Sequence, residues 1–551
     1  MKNLNYLLLS FILLLAIILR VIAINQSSPA LNWDEAALGY NAYSIIHTSK
    51  DEYGNFLPLN LKSFGDYKPA VYAYLDVPFV AILGLNTLAV RLPAILFGVL
   101  AVLFLYLLTN ELFKNPNLSL LTALMLAISP LSIGFSRPAF EAGVAFSLDL
   151  LGTLLVIKSF KNPKLLVLSA LIFGISLFTY QGSKLFLVTL LPLLYLFFRK
   201  EFKNRQTIFL SAVIFFIFLS VAGLLTVFLG QANRLQAVNL FAYPRIDQQI
   251  NQLVTDTGWT KTDPRFQIFY GEWFAYIKGL IERFSIYFSP KMLFVDGDYN
   301  IRHRVPDLGV FYYFSIFLVP AGIYFLIQKN LKIFQLLFAW FVISIIPAVL
   351  SRDLISTLRA LNILLPVSIL EGAGIYYLWE LVKLKIPRLL PLFGVILATI
   401  ILFNFLIFAD RYFIHLPKEY SKDWLYGYQQ SIEKLANLMS FKKYDRVIFT
   451  DYYGQPYIYY LFYTKYDPVK YQLQAQLEQP SVDVGTVRKI DNINFRHIYL
   501  PADRGSKNTL LIGTPEELPD KDISDNKVFN IIDRINFLDN TPAFIIVEVK
   551  Q

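Results

Sequence analysis

The chain has 551 residues, of which 56% are apolar and only 16% charged. An ordinary soluble domain carries roughly 25% charged residues, so charge this sparse cannot cover a water-exposed surface and excludes a single soluble enzyme. The formal charge is +10, and there is no cysteine, which removes disulfides, thiolate metal sites and cysteine nucleophiles. An aromatic content of 16% suits membrane cores and their interfacial belts.

A spanning helix needs about 20 mostly apolar residues, because the hydrocarbon core is about 30 Å thick and a helix rises about 1.5 Å per residue. In chain order such runs are Asn5–Ile24, Leu88–Phe113, Leu118–Phe135, Ala142–Phe160, Leu165–Tyr180, Leu185–Phe198, Ile208–Gly230, Leu308–Ile327, Ile333–Leu350, Ala360–Val382 and Leu389–Ala409. They predict a mainly α, polytopic helical bundle of about eleven spans. Ala70–Leu85 is apolar but brief and contains Asp76 and Pro78, so it is expected to lie in the outer interface rather than to cross. One set of short loops then collects Lys114, Lys161, Lys164, Arg199, Lys200, Lys203, Arg205, Lys329, Lys332, Lys383, Lys385 and Arg388. By the positive-inside rule that face is cytoplasmic, which puts the N-terminus inside and the C-terminus outside a multi-pass cytoplasmic membrane protein. No small-residue cleavage site follows the first span, so it is expected to remain as an anchor.

The membrane domain is therefore expected to occupy residues 1–409, with outer loops at 25–87 and 231–306. The second of these contains Glu272–Ser289, an amphipathic pattern that suits the membrane surface. Residues 410–551 have ordinary polarity. Short apolar runs at Arg446–Thr450, His497–Leu500, Leu510–Gly513 and Phe544–Val549 alternate with helical pattern at Gln429–Met439 and Tyr457–Tyr463. This reads as an extracytoplasmic α/β domain.

The densest polar signal, Asn32-Trp33-Asp34-Glu35, follows the first span and leads into a helical pattern over Ala36–Thr48. Asp34 is read either as the N-cap of that helix or as a general base at the membrane surface. Neighbouring helical residues point about 100° apart, so one of the two carboxylates is expected to do chemistry. Later in the loop Lys68, with Asp66 close by, stands at the level of lipid phosphate, where it either snorkels or belongs to a defined site. Arg137 and Glu141 are four apart at another outer corner and either pair across a turn or join the site. Asp149, about 12 Å into the next span, is expected to face the bundle interior. Arg302, His303 and Arg304 precede the eighth span, and Arg352 and Arg359 precede or begin the tenth. Outward arginines oppose the positive-inside trend, and guanidinium matches an anionic phosphate with paired N–H bonds; the alternative for each is a solvated loop charge.

Together these corners resemble the GT-C superfamily of integral membrane glycosyltransferases, and most closely the branch of protein O-mannosyltransferases and lipid A aminoarabinose transferases, glycosyltransferase family 39 and its near relatives. The resemblance rests on Asp34-Glu35, on Lys68-Pro69 leading through Ala70–Leu85 to Ala89-Val90-Arg91-Leu92-Pro93, on Arg137 with Glu141, on Arg302-His303-Arg304-Val305-Pro306 and on Arg359-Ala360-Leu361. Tyr452-Tyr453-Gly454-Gln455-Pro456-Tyr457 is similar to extracytoplasmic domains of some members. Aminoarabinose transferases usually carry Pro-Pro where this chain has Pro69-Ala70, and Asp where it has Glu141, which leaves the sugar open.

The resemblance implies a polyprenyl-phosphate-linked sugar as donor, and a lipid, glycan or protein as acceptor. It implies Asp34 as the base that takes the hydroxyl proton during a single inversion. Lys68, Arg302, Arg304, Arg352 and Arg359 would neutralise the departing phosphate. Glu35 and Glu141 would orient Asp34, the acceptor or a phosphate-binding arginine. No cofactor is required and no nucleic acid is expected; Asp66, Glu35 and His303 are the residues from which a weak divalent-metal site would have to be built. The competing readings are a transporter or lipid flippase, and a non-catalytic scaffold that presents the tail.

Overall fold

The computed structural model of the protein describes residues 2–228, 247–478 and 485–550. Eight helices are long and apolar enough to cross a membrane: Asn3–Val21, Thr87–Phe113, Glu141–Ser159, Gln181–Phe198, Arg205–Val227, Leu331–Val349, Leu361–Lys385 and Pro387–Glu419. Four further apolar helices are shorter, at Val71–Leu83, Pro116–Ile128, Lys164–Leu177 and Ser315–Lys329. The chain is a mainly α, multi-pass membrane protein with a sheet near its C-terminus. Eight of the expected spans fall on the long helices and three on short ones. The expected run Leu118–Phe135 is cut at Ser129, whose extended backbone precedes Pro130 at the start of a separate short helix, Pro130–Gly134. Proline lacks the N–H that would continue the ladder and disfavours helix in the residue before it. The expected run from Leu308 forms helix only from Ser315.

The chain divides into two compact units: one of residues 1–14, 101–132 and 145–405, the other of 15–100, 133–144 and 406–551. In the first unit, Ser315–Lys329 packs on Leu364–Lys385 with backbones almost touching. A Cβ on Gly322 would lie 2.0 Å from the Leu370 carbonyl oxygen, and one on Gly374 would lie 2.1 Å from that of Leu318. Small residues let helices approach closely where lipid offers no hydrophobic drive to pair them. Asp149 is wholly buried and accepts from Ser176 Oγ at 2.7 Å and Asn362 Nδ2 at 3.3 Å, an interior packing role. Residues 231–246 of the second outer loop lie outside the described residues. Beyond them Glu272–Ile286 is a helix with no buried residue, and Trp273, Ile277, Ile281 and Phe284 are exposed along one face.

The second unit gathers the first outer loop, the 133–144 corner and the tail. The tail carries a six-stranded mixed sheet. Its central strand Arg446–Phe449 runs parallel to Ile493–Phe495 on one side and Thr509–Gly513 on the other. Pro542–Val549 and the edge strand Phe529–Asn536 continue antiparallel. The edge strand escaped the sequence reading because one face is wet and its sequence FNIIDRIN carries little apolar alternation. His497–Leu500 does not form a strand; the chain turns there into the short helix Leu500–Asp503.

Candidate active site

The second unit places the first pair of carboxylates in opposite surroundings. Trp33–Thr48 is a helix whose N-cap is Asn32, not Asp34. The Asn32 side chain accepts from the Asp34 and Glu35 amides at 2.8 and 3.0 Å, and Glu35 Oε2 accepts from the Asn32 amide at 3.0 Å. This capping box leaves the Asp34 carboxylate free of capping duty. The signal was present in the sequence: Asn followed three residues later by Glu.

Glu35 is fully buried and saturated. Arg91 approaches it through Nε to Oε1 at 2.9 Å and Nη2 to Oε2 at 3.2 Å, and the Ala139 amide donates to Oε1 at 2.8 Å. The remaining guanidinium protons go to the carbonyls of Ile24, Ser28 and Ala30 at 2.8–3.0 Å. All five Arg91 donors are thereby used. Glu35 is thus a structural hub holding three chain segments together, and has no lone pair left for a metal ion. Arg91 was visible in the sequence as a charge inside an apolar span, which must find a partner.

Asp34 has a side chain 41% exposed and forms an ion pair with Lys68. Lys68 stands on a two-stranded hairpin, Asn60–Ser63 with Asp66–Pro69, opposite Leu61. Phe64 and Gly65 both have positive φ, the geometry of a tight two-residue turn. The lysine also lies 4.9 Å from the centre of the Phe64 ring. Asp66 begins the second strand; its side chain lies outside the described residues. Glu141 opens the helix Glu141–Ser159 and lies within electrostatic reach of Lys68, Asp34 and Glu35.

Arg137 does not pair with Glu141. It is buried, donates to the carbonyls of Leu19 and Ile22 at 2.6 Å, and reaches the Ser27 hydroxyl. A guanidinium enclosed at a corner finds its acceptors in the carbonyls left open where helix Lys2–Val21 ends. It is therefore a clamp on the backbone rather than a residue facing a ligand. Two buried acids to which the sequence assigned no place in the site also lie in this unit. Asp76 has neither oxygen hydrogen-bonded and is held well above the usual carboxylate range by burial, with Glu35 and Glu141 adding to the effect. Glu52 is bonded by Asn41 at 3.2 Å, and burial pushes it up to about 8.

The other basic candidates form a cluster in the first unit. Arg359 pairs with Asp353 and donates to Ser356 Oγ at 3.1 Å. Arg352 lies 3.9 Å from Asp353. Arg302, His303 and Arg304 sit on the 300–304 turn, whose amide at Arg302 is capped by Asn300. That turn is tied to the loop before Arg359 through Asp298, which accepts from the Thr357 amide at 2.6 Å and hydroxyl at 2.7 Å. Burial, with Arg302 and Arg359 adding, pushes His303 down to about 3, so the imidazole is neutral. Among the described residues, no three His, Cys, Asp or Glu side chains gather closely enough to hold a metal ion.

Residues 67–223 match a family model described as dolichyl-phosphate-mannose-protein mannosyltransferase. No curated protein matches the chain in sequence. Among crystal structures, ArnT from Cupriavidus metallidurans bound to undecaprenyl phosphate superposes with a TM-score of 0.52 at 10% identity, covering 99% of this chain and 98% of that one. The apo form of the same protein gives 0.54 over the same shares. The oligosaccharyltransferase of Archaeoglobus fulgidus tethered to an acceptor peptide containing the NVT sequon gives 0.50 at 15% identity, covering 84% of this chain. This chain spans 63% of that protein's length. At such identities the structural likeness is one of fold. The expected resemblance to GT-C integral membrane glycosyltransferases therefore holds, in sequence over residues 67–223 and in fold over nearly the whole chain.

Proposed function

We propose that this chain transfers a sugar from a polyprenyl-phosphate-linked donor to an acceptor hydroxyl on the outer face of the cytoplasmic membrane, with inversion. The observation that carries the proposal is the half-open Asp34–Lys68 pair, set beside the closed Glu35–Arg91 hub. Asp34 takes the proton from the acceptor hydroxyl as its oxygen attacks the anomeric carbon. The bond from that carbon to the phosphate oxygen breaks, and its electron pair leaves on the polyprenyl phosphate. A phosphate departs without a general acid but needs its charge neutralised. Lys68 is one cation for this. Arg302, Arg304, Arg352 and Arg359 are assigned the same task by their chemistry, since guanidinium matches phosphate with paired N–H bonds. Glu141 tunes the charge around Asp34 and Lys68. The scheme needs no divalent metal, so EDTA is expected to leave transfer unchanged.

The test uses membranes holding the full chain and a panel of undecaprenyl-phosphate-linked hexoses and pentoses, with release of undecaprenyl phosphate as readout. Asp34→Asn is expected to abolish release while folding and donor binding persist; near-normal turnover rejects the base assignment. Arg359→Ala is expected to weaken donor handling, raising the donor KM. A loss confined to the acceptor's KM counts against a phosphate role.

A further inference from the structure

The tail is the part of the second unit to which the mechanism above gives no task. It touches both elements that carry the Asp34–Lys68 pair. On the helix side, Tyr459 Oη donates to the Leu31 carbonyl at 3.1 Å, one residue before the Asn32 cap. Gly454 lies against the Trp33 ring, where an added Cβ would come within 3.1 Å, and Tyr428 donates to the Gly454 carbonyl at 2.8 Å. Further along the same helix, Tyr40 Oη donates to the Tyr466 carbonyl at 3.0 Å, and a Cβ on Gly39 would lie 2.7 Å from the Phe462 ring. Gln472 Nε2 closes its far end, reaching Ser44 Oγ, Thr48 Oγ1 and the Asp51 carbonyl at 2.9–3.1 Å. On the hairpin side, the Gly485 amide donates to the Phe64 carbonyl at 2.6 Å, and Tyr457 meets the Phe64 ring edge-on at 6.0 Å.

We propose that the C-terminal domain is the positioning device of the proposed transfer, with Tyr459 as its positioning residue: it holds the start of the Trp33–Thr48 helix while the Gly485–Tyr457 side holds the hairpin turn. The inference rests on the transferase reading given above. Its physical basis is that neither element is self-supporting. A hairpin of two four-residue strands is marginal in water, and a loop helix freed of its tertiary contacts frays from its cap. The distance between Asp34 and Lys68 is therefore set in part by a third body in contact with both, acting beside the Glu35–Arg91 hub. Tyr459 is buried and its ring stacks on Tyr428 at 4.4 Å between centres, so Tyr459→Phe removes one hydroxyl and keeps the packing.

The experiment compares Tyr459→Phe, Lys68→Ala, their double variant and Asp34→Asn in the full chain, with the donor panel named above. Tyr459→Phe is expected to lower kcat about tenfold, since small misplacement of reacting groups is costly, with donor KM within about twofold of the parent. In the Lys68→Ala background the same change is expected to cost less than about threefold, because the pair it positions is already broken. Tyr499→Ala, an exposed aromatic on the same domain, serves as the control that leaves kcat unchanged. Hydrogen exchange supplies a readout free of activity: the Asp34 and Glu35 amides lose protection in Tyr459→Phe while those of the Thr509–Gly513 strand keep it. Unchanged kcat and unchanged exchange at Asp34 overturn the inference, as does an equal loss in both backgrounds. An active Asp34→Asn instead overturns the transferase reading on which it rests.

Discussion

Asp34 and Glu35 are adjacent in the chain and live in two different regions of the second unit. Glu35 belongs to a sealed region, with no solvent exposure and donors from Arg91, Asn32 and Ala139. Asp34 belongs to an open one, where one lysine is its salt-bridge partner and water reaches the carboxylate. The difference teaches how one helix start separates a sealed acid from an accessible one. The Asn32–Glu35 capping box fixes the helix start, and the rotation of about 100° per residue then sends one acid inward and the next outward. A reactive carboxylate needs an accessible lone pair, and a structural one needs none.

The largest effect should come from breaking the sealed region. Arg91→Ala leaves Glu35 buried without its cation and strands three carbonyls, so a loss of about 3–5 kcal/mol is expected, read as collapse of thermal stability in detergent. Breaking the open region should instead spare stability and remove turnover. Asp34→Asn is expected to cost about 10³-fold in transfer with stability within about 0.5 kcal/mol of the parent. If Asp34→Asn were as unstable as Arg91→Ala, the distinction between the two regions would fail.

Glu52 sharpens the comparison, because it is buried like Glu35 but has no guanidinium partner. Burial raises it from an ordinary 4.5 to about 8. The folded unit thus keeps a proton that the unfolded chain has released above pH 4.5. Stability is fullest below that pH, declines across the window from about 4.5 to about 8, and is lowest above it. Within the window the slope is about 1.4 kcal/mol per pH unit. Glu52→Gln should flatten the profile between pH 6 and 8 in thermal unfolding scans; an unchanged slope would assign the titration elsewhere. A small stability effect is also expected for Lys68→Ala, under about 1 kcal/mol, because a half-open ion pair contributes little. Its signature is a fall in transfer rather than in unfolding temperature.

Much of the bundle could be read directly. Spans announced themselves as apolar runs, and even Asp149 was assigned its interior place, because a lone carboxylate in lipid has few alternatives. The exceptions have local causes: Pro130 cut one run, and Ser315 rather than Leu308 began another helix. Site residues were legible as types and corners but not as partners. Arg137 looked like a companion of Glu141 at helical spacing, yet it caps carbonyls of the first helix more than 100 residues earlier. Arg359 was legible as a phosphate ligand or a solvated loop charge, but its pairing with Asp353 was not.

What the amino-acid order alone decided is whatever depends on short-range pattern: the apolar helices, the continuous apolar strands of the tail core and the Asn32–Glu35 cap. What only the tertiary structure decided is which charges are buried in networks that hold the protein together and which stay open to water. Burial and partner choice arise from segments distant in the chain, such as Tyr459 against Leu31 or Arg91 against Glu35. Ion pairs and hydrogen bonds act over a few ångströms, so their partners are set by where the packed chain returns, which no local pattern records.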